Sequence, residues 1–94
     1  DQKEAVRWYR EAAEQGNVRG QVNLGFMYAC GEGVAQNYKM AYMWFTLGLN
    51  GPASEDRDIA IENRDLTAVK MTPEDIDEAQ QLAHEWKPTG LGSQ

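Results

Sequence analysis

The sequence predicts an all-α chain of about five antiparallel helices stacked as a solenoid, and three observations carry that prediction. Apolar residues recur at three- and four-residue spacing along most of the chain, the period of a helix that buries one stripe. No segment shows the sustained two-residue alternation of a half-buried strand. The chain also repeats itself: shifted by 36 residues, Ala5-Val6-Arg7-Trp8-Tyr9 falls on Ala41-Tyr42-Met43-Trp44-Phe45, and Ala12 falls on Gly48. A period near this length, with two helices per unit, marks a helical solenoid.

The elements follow in order. Ala5, Trp8, Tyr9, Ala12 and Ala13 share one face of a helix over 2–15, and Gly16 stops it. A second helix over 17–30 takes Asn17 as N-cap and ends before Gly31. Its packing face holds Gly20, Gln21, Leu24, Gly25 and Tyr28, while Arg19, Val22, Asn23, Phe26 and Cys30 gather on the other side. A third helix over 37–49 carries Ala41, Trp44, Phe45 and Gly48 on one stripe, and Asn50-Gly51-Pro52 closes it. The fourth, over 54–70, is polar, with Ile59, Leu66 and Val69 expected inward. The fifth has the clearest start: Thr72 as N-cap, Pro73 at N1 and Asp75 at N3, flanked by the staple pair Met71 and Ile76. Ile76, Ala79, Leu82, Ala83 and Trp86 form its apolar stripe, and Pro88 ends it. Residues 89–94 read as a frayed tail.

The 94 residues make one small domain, and its composition narrows the function classes. The formal charge of −6 argues against unspecific binding to nucleic acid or anionic lipid, which needs a basic surface. That charge is uneven. Five acids and five bases cancel over residues 1–53, whereas ten acids meet four bases over 54–94, where they suit solvated helix faces. Cys30 is alone, so no internal disulfide forms. No apolar run approaches the ~18 residues of a membrane span, and no signal segment opens the chain.

The stretch Tyr28-Ala-Cys-Gly-Glu-Gly-Val-Ala-Gln-Asn-Tyr38 offers two readings, a phosphate cradle or a turn between helices. A dinucleotide fingerprint needs a third glycine and a strand-to-helix setting; here the third place is Gln36 and both flanks are helical. Glycine at 31 suits the positive φ that follows a helix end, and Val34 is placed to plug the turn against the core. The loop is read as a turn.

Gln21, Asn23-Leu24-Gly25, Tyr28, Gly31-x-Gly33-Val34, Gln36, Tyr38, Ala41 and Trp44-Phe45 together resemble the Sel-one-like repeat (SLR), a relative of the tetratricopeptide repeat. Residues 1–16 are similar to the second helix of a preceding repeat, 17–52 to a complete repeat, and 53–88 to an altered terminal repeat with a capping helix. The pattern departs at Ala35 and Asn37, where proline and aspartate are common, and at Gly20, where alanine is usual. The resemblance implies a right-handed α/α superhelix whose first helices line a concave surface. On this chain that surface would carry Arg19, Val22, Asn23 and Phe26, with burial of Val22 and Phe26 against the next repeat as the competing reading.

Candidate chemistry is thin. His84 is the sole histidine and stands outside any H-E-x-x-H pair, whereas a zinc site takes three or four ligands. Cys30 has no local base, and Asp56-x-Asp58 lacks the glycine a calcium loop requires. Glu74, Asp75, Asp77 and Glu78 fit the positive end of a helix dipole. Trp8, Tyr9, Trp44 and Phe45 fit inter-helix packing better than base stacking. No catalytic residue, metal site or cofactor is therefore expected.

The resemblance implies a non-catalytic adaptor that binds a protein or peptide, in a bacterial protein of the cytoplasm or periplasm. The alternatives are a small-molecule or hydrolase role, including the beta-lactamase activity attributed to some SLR proteins, and a purely structural cap of a longer array. The first-helix partner of helix one lies outside these residues, so Val6, Trp8 and Tyr9 are expected at an open end and available for a two-fold dimer.

Overall fold

A computed structural model describes residues 1–88; the expected tail, 89–94, lies outside the described residues. Five α-helices follow one another: α1 (Gln2–Glu14), α2 (Val18–Cys30), α3 (Tyr38–Leu47), α4 (Glu55–Ala68) and α5 (Pro73–Glu85). A single 3-10 turn, Gly48–Asn50, extends α3, and no strand occurs among the described residues. Every helix begins on a side-chain cap, with Asp1, Asn17, Asn37, Ser54 and Thr72 each accepting from the backbone N–H three residues on. Such a cap is worth about 1 kcal/mol, which matters where helices are too short to be stable alone. At the N-cap of α3, Asn37 fills the place where aspartate is common and accepts from Met40 N at 3.1 Å.

Helix α2 packs between α1 and α3, and α3 in turn carries both α4 and α5. Two clusters make the core. The first joins Val6 and Ala13 of α1, Leu24 of α2, and Met43, Trp44 and Leu47 of α3; Trp86, just past α5, packs onto it. The Trp44 and Trp86 rings meet edge to face at 6.0 Å between centroids. The second joins Val22, Ala41, Phe45 and Ala60, and so pins α4 to the α2–α3 pair.

Glycines admit the closest contacts. A Cβ on Gly25 would stand 2.6 Å from the Phe45 ring, and one on Gly20 would stand 2.7 Å from Ala12 Cβ. The Gly20 departure from the family pattern thus lets α1 and α2 close up. In the α2–α3 loop Gly31 and Gly33 hold φ of 72° and 75°. Gly31 N donates to Met27 O at 2.8 Å, Asn37 N donates to Tyr28 O at 2.9 Å, and Val34 packs on the first cluster. The stretch is a turn.

Three expectations are corrected. Leu66 and Val69 do not face inward; they are 59% and 84% exposed, and Ala60 and Thr67 are buried in their place. Size, rather than hydropathy, chose that face: Ala60 Cβ would come within 3.2 Å of a Cβ at Gly48, a crossing too close for a larger side chain. Thr67 is tolerated because its hydroxyl donates to Asn63 O within the same helix, at 2.7 Å. Leu82, expected in the stripe of α5, is likewise exposed. In α1, where an open end is expected, Val6 is buried, because the Gly33 backbone lies over it, and Tyr9 packs on the first cluster. Trp8 alone of the three is largely exposed.

Candidate functional site

A groove of about 280 Å³ opens between the C-terminal halves of α2 and α4. Its floor is aromatic. Gly25 lets the Phe45 ring lie against the backbone of α2, and Phe26 meets that ring edge to face at 5.3 Å. Tyr38, at the start of α3, closes one end, and Cys30 and Leu66 stand on opposite sides. Two donors beside it are already committed: Asn63 Nδ2 donates to Ile59 O at 2.8 Å, and the Thr67 hydroxyl donates to Asn63 O. What remains is an apolar socket with one charge, Lys70, whose Nζ lies 5.7 Å from the centre of the Tyr38 ring.

The sequence-derived surface of Arg19, Val22, Asn23 and Phe26 is only partly assembled here. Phe26 lines the groove, together with Cys30 from the same face. Val22 does not: at 3% exposure it belongs to the second core cluster, wedged beside Gly48 and Ala60. Arg19 stands farther along the gap, where its guanidinium Nε lies 3.4 Å from Asp56 on α4. With the Arg19 side chain 75% exposed, that ion pair contributes little. Asn23 is half-buried and lies outside the groove. Sequence reasoning missed Tyr38, Leu66 and Lys70. The available signal was the Leu66–Val69 pair on an otherwise polar helix, which was assigned to the core.

Elsewhere the titratable residues are dispersed. His84 lines a different cleft, of about 650 Å³, between the α1–α2 turn and the ends of α3 and α5, so it is not brought together with Cys30. Asp56 is engaged with Arg19. Glu78 accepts from Lys39 Nζ at 2.9 Å, with Asp75 at 3.8 Å, which ties the start of α3 to α5. That hydrogen bond, more than the charges around it, holds the Lys39 ammonium above its ordinary pKa, against a smaller opposing effect of desolvation. No group of three or more His, Cys, Asp or Glu among the described residues is arranged to hold a metal ion. No helix among them is long and apolar enough to cross a membrane.

Comparison with known proteins bears on the same architecture. No curated protein matches the chain. It is similar to a crystal structure of c5321, a protective antigen present in uropathogenic Escherichia coli strains that displays an SLR fold. The TM-score is 0.83 at 34% identity, over 92% of this chain and 18% of that one. This chain thus spans about a fifth of the length of that relative. The Sel1 repeat pattern matches residues 1–17 and 18–52, more than half of the sequence. With its helices paired as that pattern requires, the chain belongs to the Sel1 repeat family.

Proposed function

We propose that this chain is a non-catalytic interaction module that takes a protein or peptide partner along the gap between α2 and α4. The observation that carries the reading is the apolar groove itself, where Phe26 faces a leucine that is 59% exposed. A bulky apolar side chain left in water on an otherwise polar helix gains by being covered, by about 25 cal/mol for each Å². The family supports the reading too, since its repeats are in general protein-interaction scaffolds. A hydrolase reading, prompted by the resemblance, gains no support from Cys30 and His84, which line separate cavities.

The test is capture of partners from the source organism with the chain as bait and Leu66→Asp as control. Leu66 is the better control than Phe26, whose truncation would also disturb the Phe45 contact. A partner retained by the wild-type chain and lost with Leu66→Asp is expected; equal retention by both would count against the groove.

A two-fold dimer through α1 is a second reading, favoured by Trp8 at 66% exposure. With Val6 buried and Tyr9 packed on the core, only one large side chain is left to drive it. Covering Trp8 of both copies contributes about 3 kcal/mol each, about 6 kcal/mol in all, against an association cost of ~4–15 kcal/mol, so any such dimer is weak. Sedimentation equilibrium at high protein concentration is expected to show partial association that Trp8→Glu abolishes. A monomer unaffected by that change would end this reading.

A further inference from the structure

We propose that the α2–α4 groove selects a peptide segment presenting one bulky apolar side chain with a carboxylate beside it. This deepens the interaction-module reading and rests on it. The socket sets the first requirement. Its walls are Phe26, Phe45, Tyr38 and Leu66, and its neighbouring amide and hydroxyl donors are already committed to backbone carbonyls of α4. A polar group entering it would give up water for few partners on these mostly aromatic and aliphatic walls, whereas an apolar one loses nothing. The volume, about 280 Å³, falls just below the ~300–1,000 Å³ typical of sites that enclose a small molecule, so it suits a side chain.

Lys70 sets the second requirement. Among the described residues it is in no ion pair, and its one close partner is the Tyr38 ring. Two of the acids on α4 have other partners: Asp56 is paired with Arg19 and Asp65 with Arg64. The chain as a whole carries −6, which would favour a basic partner at long range. Screening decides between the two. At physiological salt, interactions between exposed charges fade beyond ~8 Å, so the ammonium at the groove governs a bound segment while the net charge acts only on its approach.

Cys30 supplies a local reporter, being the sole cysteine, exposed, and part of the groove wall. Short synthetic peptides carrying a central phenylalanine or leucine, flanked by glutamate or by lysine, are titrated against the chain. Alkylation of the Cys30 thiol by iodoacetamide is followed by mass. Glutamate-flanked peptides are expected to slow alkylation saturably and to bind about threefold more tightly than lysine-flanked ones, the scale of an exposed ion pair. Lys70→Glu should reverse that preference. Leu66→Asp should remove the protection while circular dichroism shows unchanged helix content. Equal protection by both peptide sets, or by neither, overturns the proposal. A captured partner that binds while Cys30 alkylation stays unchanged would also overturn it, yet would leave the interaction-module reading standing.

Discussion

Helices α3 and α4 are neighbours in sequence and in space, yet they are held by different means. Helix α3 buries six of its ten residues, including Trp44 and Phe45. Helix α4, longer by four, buries only Ala60 and Thr67. The first is fixed by large side chains in two clusters; the second rests on a small-residue crossing at Gly48 and self-satisfied polar groups. Of the large apolar residues of α4, Ile59 packs on the second cluster, while Leu66 is left outside, and the groove exists because Leu66 was not needed for the core.

The largest expected effect would break this contrast at its strong side. Phe45→Ala should cost about 3–5 kcal/mol in urea denaturation, while Leu66→Ala stays within about 0.5 kcal/mol. A loss at Leu66 comparable to that at Phe45 would mean that α4 is held by its apolar residues after all. Next, Ala60→Leu should cost about 1–3 kcal/mol by overfilling the crossing with Gly48 and Val22. A neutral result would show that α4 can move off α3 without loss.

The same crossing explains what the sequence made legible and what it hid. Helix number, the caps at Asn17 and Thr72, and the turn at Gly31 depend on local chemistry and were readable. So was the placing of Phe26 and Cys30 on one face of α2, which is a matter of helical angle. The inward face of α4 was legible only at Ile59, which packs on the second cluster; ranking by hydropathy also favours Leu66 and Val69, where close approach favours alanine. Val22 stood open between the concave surface and burial against the next repeat, and it is buried: an angle says which way a side chain points, but not whether another helix arrives there. Lys70 and Tyr38, distant in sequence, carry no local sign that they meet.

Two smaller effects sharpen the comparison. Gly31→Val should cost about 1 kcal/mol or more through its positive φ, whereas Glu32→Ala, on the exposed loop, should be near neutral. Equal stability of the two variants by thermal unfolding would refute a conformational role for Gly31. The smallest effect concerns Lys39, which joins α3 to α5. Its folded-state pKa is raised, so its contribution is complete below the unfolded value and is lost as pH rises through the folded one. Lys39→Met should therefore be slightly less stable than wild type at neutral pH and should converge with it in strong alkali. A gap that widens with pH would show the sign to be wrong.

The position of Trp86 has a consequence for cooperativity. In a linear repeat array each unit touches only its neighbours, so the ends can unravel one at a time. Here the residue that follows α5 packs on the cluster that holds Val6 and Ala13 of α1. The fifth helix, through Trp44 of α3, and α1, through Leu24 of α2, thus lean on one cluster. Loosening either end removes support from the other, and the five helices should melt together in a single transition rather than peel away in sequence. The packing of α5 on α3, past α4, also lengthens the mean contact separation, so the chain should fold more slowly than a nearest-neighbour stack of equal size.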